Sequence, residues 1–308
     1  MDILDDILTT LKLKGSLYFR TDFSPPWAVT VPEYPDAARF HFVIQGRCCV
    51  KIEGQETLEL GPGDLVLIPR GASHILSHTP VKSAPPLETV LEDAAYDGNG
   101  VLRLGASIPD ASTQMVCGHL TFRKGADHPI LNTLPDYAVT SATMRAKRPL
   151  LDETLRLIAR CIFTDDLGST ASVTRLSEIV FIEMLRSDMG LTPEMQSLLE
   201  AFRDPKVGQS LQLIHSTPSE NWTVESLASE VAMSRSRFAK RFSELIGIGP
   251  MSYLSDWRLQ KALSLLDNSQ LNVQQVADQT GYRSASAFSR AFSGKFGFTP
   301  RDYRRPSR

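Results

Sequence analysis

The sequence predicts an α+β multidomain fold: an N-terminal β-barrel, a helical connector, and a C-terminal all-α domain with two helix-turn-helix units. Three observations predict it. Short apolar or alternating runs, separated by Gly, Pro and Asp, fill roughly the first 135 residues. The period turns helical after Pro149. Between Val224 and Tyr303 one pattern is written twice, at an offset of 49 residues before a turn and 50 after it.

Bulk composition allows this organisation. The chain has 308 residues, 42% hydrophobic and 22% charged, enough for two domains of ordinary soluble character. Its net charge of −2 conceals a split. From Pro205 onward there are 14 Lys and Arg against 8 Asp and Glu, a net +6, while the preceding part carries 19 against 27, a net −8. A basic C-terminal third suits a polyanion, and an acidic N-terminal part would be repelled by one. The start, acidic and amphipathic, is not a signal peptide, and nowhere do about 18 apolar residues run together. A cytoplasmic location, without membrane contact, is therefore expected. Cys48, Cys49, Cys117 and Cys161 form no CxxC pair or zinc spacing and are expected as small buried hydrophobes, with one of the adjacent Cys48 and Cys49 pointing inward and the other outward.

Taken in order, the β segments are Trp27 to Val31, Phe40 to Ile44, Cys48 to Ile52, Asp64 to Ile68 and Gln114 to Phe122. Helices follow: one carries Leu151, Leu155 and Ile158, and a second Val173, Leu176 and Val180. A third runs from Pro193 to Phe202 with proline at its first position. The expected domains are 1–135, a connector and possible dimerisation segment at 136–204, and 205–308, with helix-turn-helix units at about 222–246 and 272–296.

In the first unit Thr223 is the expected N-cap, Met233-Ser234 the turn, with Ser234 capping a second helix of residues 235–246, and Phe238, Phe242 and Leu245 the buried stripe of that helix. In the second unit Asn272 and Gln275 form a capping-box start, Gly281 supplies the tight turn, and Phe288, Phe292 and Phe296 are the stripe. The opposite faces combine hydroxyls with Arg and Lys, which suits a helix pressed into the major groove. Ser236, Lys240, Ser286, Ser289 and Arg290 are the candidates for base edges; Arg237, Arg241, Arg283 and Lys295 are those for phosphates. Pro250 opens a helix running to about Asn268, whose rigidity would hold two recognition helices about 34 Å apart, one turn of DNA.

WTVESLASEVAMSRSRFAKRFSELIGIGPMSYLSDWRLQKALSLL followed by VQQVADQTGYRSASAFSRAFSGKFGFTPRDYR resembles the DNA-binding domain of the AraC/XylS family of bacterial transcription regulators. The resemblance covers about a hundred residues. Carried over by position, it implies base contacts at Ser236, Ala239 and Lys240, and at Ala285, Ser286, Ser289 and Arg290, of which the two alanines could touch only a thymine methyl.

Gly63 to His74, with the spacing G-x5-P-x-G-x2-H, resembles the second motif of the cupin barrel. The stretches around Met115-Val116-Cys117-Gly118-His119-Leu120 and His128 to Pro135 resemble the end of the cupin-type sensor domain found on some of these regulators. In metal-binding cupins a histidine at the position of His74 is a ligand. Here Arg39 stands where the motif's Glu would be, and no His-x-His precedes it. His41 shares the strand face of Arg39, and with His78 it could join His74 in a metal or anion site.

The expected function is a sequence-specific DNA-binding transcription regulator whose N-terminal domain senses a small molecule or chemical signal, with His41, His74 and Cys117 in the effector pocket. Its expected partners are double-stranded promoter or operator DNA, an unidentified small-molecule effector, a second copy of the chain and RNA polymerase. No catalytic residue, cofactor or metal is expected. The alternatives are a thiol-redox or metal-responsive regulator using Cys117 or His41 and His74, and a cupin enzyme with a DNA-binding tail.

Overall fold

The computed structural model describes residues 2–34, 37–98, 100–105, 112–161, 167–186, 192–267 and 270–305. They fall into two compact units, cut at different places from the expected boundaries. One unit is Leu13–Phe122 with Leu134–Leu191; the other is Met1–Lys12, Arg123–Thr133 and Thr192–Arg308.

The first unit is built on β1 (Lys14–Phe23), β2 (Ala28–Val31), β3 (Ala37–Gln45), β4 (Cys48–Ile52), β5 (Leu58–Leu60), β6 (Leu65–Ile68), β7 (His74–Ser77), β8 (Val101–Leu104), β9 (Thr113–Thr121) and β10 (Ala138–Thr140). These strands form two sheets, in the orders β10-β6-β3-β9-β1-β8 and β2-β7-β4-β5, so the expected barrel is an open jelly-roll sandwich. Its core collects Val43, Val50, Val66, Ile68 and Met115. The Pro69-Arg70-Gly71 turn is obligatory at glycine: Gly71 has φ +62°, and a Cβ there would lie 1.9 Å from the Tyr34 carbonyl oxygen. Cys48 joins this core and the adjacent Cys49 does not, as alternation along β4 requires, although both are buried.

Numbering the helices along the chain, α1 (Ile3–Leu11) and α3 (Pro129–Asn132) belong to the second unit. α2 (Leu87–Asp93), α4 (Ala142–Arg145), α5 (Pro149–Cys161) and α6 (Ser169–Leu185) belong to the first. α5 buries Leu151, Leu155 and Ile158 but leaves Leu150 and Leu157 exposed.

The second unit continues with α7 (Pro193–Arg203), α8 (Val207–Ser216), α9 (Val224–Glu230), α10 (Arg235–Ile246), α11 (Pro250–Leu266), α12 (Val273–Gln279), α13 (Ala285–Phe296) and α14 (Pro300–Tyr303). Sequence and local structure agree closely here. Thr223 and Ser226 close one capping box, and Asn272 with Gln275 closes the equivalent one at the start of α12. Ser234 differs from expectation, since its side chain makes no cap hydrogen bond, whereas Ser284 accepts from Ala287 N at 3.2 Å. The α10 stripe is Phe238, Phe242 and Ile246 rather than Leu245. Phe288 and Phe292 are fully buried against Leu259, Ala262, Leu263 and Leu266 of α11, and Phe242 meets Tyr253 edge-on at 5.8 Å. The apolar side of α11 therefore serves both repeats.

Candidate nucleic-acid interface and sensory pocket

With their phenylalanines buried, α10 and α13 turn the opposite face outward. Ser236, Arg237 and Lys240 on α10 are exposed, as are Arg283, just before α13, and Ser286 and Arg290 on it; Ser289 is half-buried. Lys240 lies 3.8 Å from Glu244 across one exposed helical turn, a contact too weak to withhold its charge from a phosphate or base. Arg283 is the extra residue that changes the offset from 49 to 50, standing between the aligned pairs Met233/Tyr282 and Ser234/Ser284.

Two expected phosphate contacts are placed differently. Lys295 is half-buried, with its ammonium 2.7 Å from Asp127 Oδ2 and 3.0 Å from Asp256 Oδ1. Burial pulls its pKa down, but these two carboxylates outweigh it and hold the group charged. Arg241 makes a two-nitrogen contact with Asp204, whose carboxylate also caps the start of α8 by accepting from Val207 N at 2.8 Å. Both cations are thus already committed to carboxylates within the unit. Sequence spacing placed them on the right helices without revealing partners contributed from 37 residues away for Arg241 and by Asp127 for Lys295.

In the sandwich, the three expected pocket residues come together. His41 on β3 lies directly opposite Cys117 on β9, and its Nδ1 is 3.1 Å from Cys117 Sγ. Its other nitrogen, Nε2, reaches across to β7 of the second sheet, 2.8 Å from His74 Nε2. His74 Nδ1 is 2.8 Å from the Ala72 carbonyl, which can only accept, so that nitrogen carries the proton. The rest follows by elimination. His74 Nε2 accepts from His41 Nε2, and His41 Nδ1 accepts from the Cys117 thiol. The protons of all three groups are therefore assigned to one directional chain in which every member is neutral.

The electrostatics agree. Burial, then the neighbouring His74 and Arg39, hold His41 well below the ordinary histidine value; burial and Arg39 bring His74 down to about 4. Burial pushes the Cys117 thiol up to about 12, against a smaller opposing pull from Arg39. A thiol so high is the opposite of the thiolate that a redox sensor needs. Around the chain of protons stand Phe19, Phe23, Val29, Leu76 and Leu102, leaving a cavity of about 20 Å³, room for one water-sized guest. Of these walls only Val29 lies in a β segment read from the sequence; Phe19, Phe23, Leu76 and Leu102 stand on β1, β7 and β8, which the sequence reading did not pick out. His78 stays apart, with its Nδ1 3.1 Å from Trp27 O.

A metal of the kind many cupins hold does not fit these residues. His41 directs its two nitrogens at different partners, so the three donors do not converge on one point, and the guanidinium of Arg39 faces His41 and His74 where the motif would supply a carboxylate. Among the described residues no group of three or more His, Cys, Asp or Glu is arranged to hold a metal ion. No helix among them is long and apolar enough to cross a membrane.

Comparison with known proteins agrees with this division of labour. Residues 2–190 match a cupin family profile, and residues 227–306 match a helix-turn-helix domain profile. The chain is 32% identical to the HTH-type transcriptional regulator AlkR of Acinetobacter baylyi across all of both chains. It is 31% identical to an AraC-like transcription regulator of Streptomyces antibioticus across 99% of each. A solved AraC-type DNA-binding domain from Chromobacterium violaceum is 27% identical over 34% of this chain and 93% of its own, with a TM-score of 0.32.

Proposed function

The chain belongs to the AraC-type transcription regulators that carry an N-terminal cupin domain, and from that premise we propose how it reads DNA and what its sandwich responds to. As a sequence-specific DNA-binding regulator, it lays α10 and α13 into successive major-groove segments. The supporting observation is that two homologous helices, each anchored by a buried pair of phenylalanines, expose different polar faces: Ser236 and Lys240 on the first, Ser286 and Arg290 on the second. Unlike faces read unlike sequences. Each protomer therefore recognises two different boxes in direct order, about one helical turn apart. Ser289 joins the base contacts, while Arg237 and Arg283 neutralise phosphates; Arg241 and Lys295 serve the protein's own structure first.

The effector is a small molecule with an apolar body and one polar group. It enters between the walls of Phe19, Phe23 and Leu102 by spreading them and takes over a hydrogen bond from the His41–His74–Cys117 chain. The pocket acts by binding, not catalysis. The chain pairs with a second copy through α5, whose exposed Leu150 and Leu157 lie seven residues apart on one face, and it works in the cytoplasm, where DNA and RNA polymerase are accessible.

The test is selection of bound sequences from random duplex DNA by the full-length protein. Enrichment of two unlike boxes in fixed order and spacing is expected. A single enriched box, or two copies of one box within a protomer's footprint, would refute the assignment.

A further inference from the structure

Within the helical unit, the two segments contributed from the N-terminal part of the chain, Met1–Lys12 and Arg123–Thr133, grip the two repeats at equivalent positions. Each repeat ends in Pro-x-x-Tyr, at Tyr253 and Tyr303. Both hydroxyls enter polar clusters, and each cluster contains one residue from each segment.

At the first repeat the protons again have a single order. His128 Nδ1 accepts from Ile130 N at 3.1 Å, so its Nε2 carries the proton and donates to Tyr253 Oη at 3.1 Å. Tyr253 then donates to His215 Nε2 at 2.8 Å, and His215 Nδ1 donates to Asp6 Oδ2 at 3.0 Å. Lys261 Nζ holds the other oxygen of Asp6 at 2.6 Å, and His215 stacks on Trp257 with ring centroids 3.9 Å apart. Asp6 belongs to α1, His128 to the 123–133 segment, and Tyr253, Trp257 and Lys261 to α11. At the second repeat Tyr303 Oη donates to Asp267 Oδ1 at 3.1 Å. The other oxygen of Asp267 receives Lys12 at 3.2 Å and Arg123 at 3.5 Å. Here too one partner comes from residues 1–12 and the other from 123–133.

These two segments are also joined to each other and to neighbouring strands. Arg123 N donates to Leu11 O at 3.0 Å, and along the chain each segment adjoins a strand, residues 1–12 leading into β1 and residues 123–133 following β9. β9 carries Cys117. We propose that residues 1–12 and 123–133 form a two-point clamp on Tyr253 and Tyr303 that fixes the spacing of α10 and α13, so that distortion of the β1–β9 pair is delivered to DNA as a change in that spacing. The clamp rests on the assignment of two boxes per protomer.

The experiment uses full-length protein and duplexes bearing its two selected boxes with the intervening spacer lengthened or shortened by one and two base pairs. For the native chain a spacer error of one base pair should weaken binding about tenfold, and for the double variant Y253F/Y303F less than about threefold, with the optimal duplex bound nearly as before. A double variant that keeps the native spacing profile overturns the clamp. A native protein indifferent to spacing overturns the two-box assignment and the clamp with it. Should Y253F not fold, Lys12→Gln releases the second repeat from an exposed position, and an unchanged profile in both it and Y303F is equally fatal.

Discussion

Ala232 and Gly281 hold the same left-handed turn position in the two repeats, with φ of +52° and +75°. The hydrogen bonds match as well: Met233 N donates to Ala228 O at 2.8 Å, and Tyr282 N to Ala277 O at 2.9 Å. A left-handed conformation costs a residue with a Cβ about 1 kcal/mol, and glycine nothing comparable. Ala232→Gly should therefore stabilise the helical unit by roughly 0.5–1 kcal/mol. Gly281→Ala should destabilise it by more, since its Cβ would fall 2.8 Å from Ser219 O. Chemical denaturation of both variants checks the pair, and a destabilised Ala232→Gly would contradict it.

Arg290 is exposed on α13 and is assigned to a base edge. Arg290→Ala should cost about 1–3 kcal/mol at one base pair and relax discrimination there. Binding of a panel of single-substitution duplexes measures this; a uniform loss across the panel would move Arg290 to the phosphate class.

Arg283 and Lys295 separate by their partners. Arg283→Ala should lower the slope of log affinity against log salt by about 1, the signature of one phosphate contact. Lys295→Ala should leave that slope unchanged while lowering thermal stability, because it strips Asp127 and Asp256 of their cation. Titration of binding between low and moderate salt distinguishes the two outcomes.

The proton arrangement in the sandwich predicts an unreactive thiol. With Cys117 raised to about 12 and fully enclosed, a thiol reagent at neutral pH should label the partly exposed Cys161 quickly and Cys117 only as the fold opens. Mass spectrometry of briefly treated native protein decides it. Rapid stoichiometric labelling of Cys117 would show that the thiol is not held as a hydrogen-bond donor.

His74 and His128 give stability a definite dependence on pH. Burial lowers His74 to about 4 and, with His215 nearby, His128 to about 3, against 6.5 in the unfolded chain. Above pH 6.5 both states are neutral and nothing is lost. Between there and pH 4 the unfolded chain binds protons that the folded one refuses, so stability falls by about 1.4 kcal/mol per pH unit for each such histidine. Unfolding free energies of the native chain and His74→Gln across pH 4 to 7 should diverge in slope, and parallel curves would contradict the assignment.

What could be seen in the sequence was local. Thr223, Asn272, Pro250 and the paired phenylalanines act over one or two helical turns, and their spacing carries the helix-turn-helix architecture directly. His74 was legible through the turn that Gly71 must make. What stayed hidden depends on residues distant in the chain. Lys295 looks like a free cation until Asp127 is beside it, and Asp6 looks like part of an acidic N-terminus until His215 and Lys261 surround it. The expected boundary at 135 missed the excursion of residues 123–133, because nothing in their composition distinguishes a segment that leaves one unit for another from an ordinary loop.

That excursion limits how such a protein can be recombined. The chain passes between its two units four times, after residues 12, 122, 133 and 191, so no single junction separates sensor from reader. A chimera spliced at residue 192 or 205 would join a foreign sensor to a helical domain deprived of Asp6, Lys12, Arg123 and His128. To transplant the DNA-binding function intact, an engineer must carry residues 1–12 and 123–133 with it, grafted onto the ends of two adjacent strands of the new host.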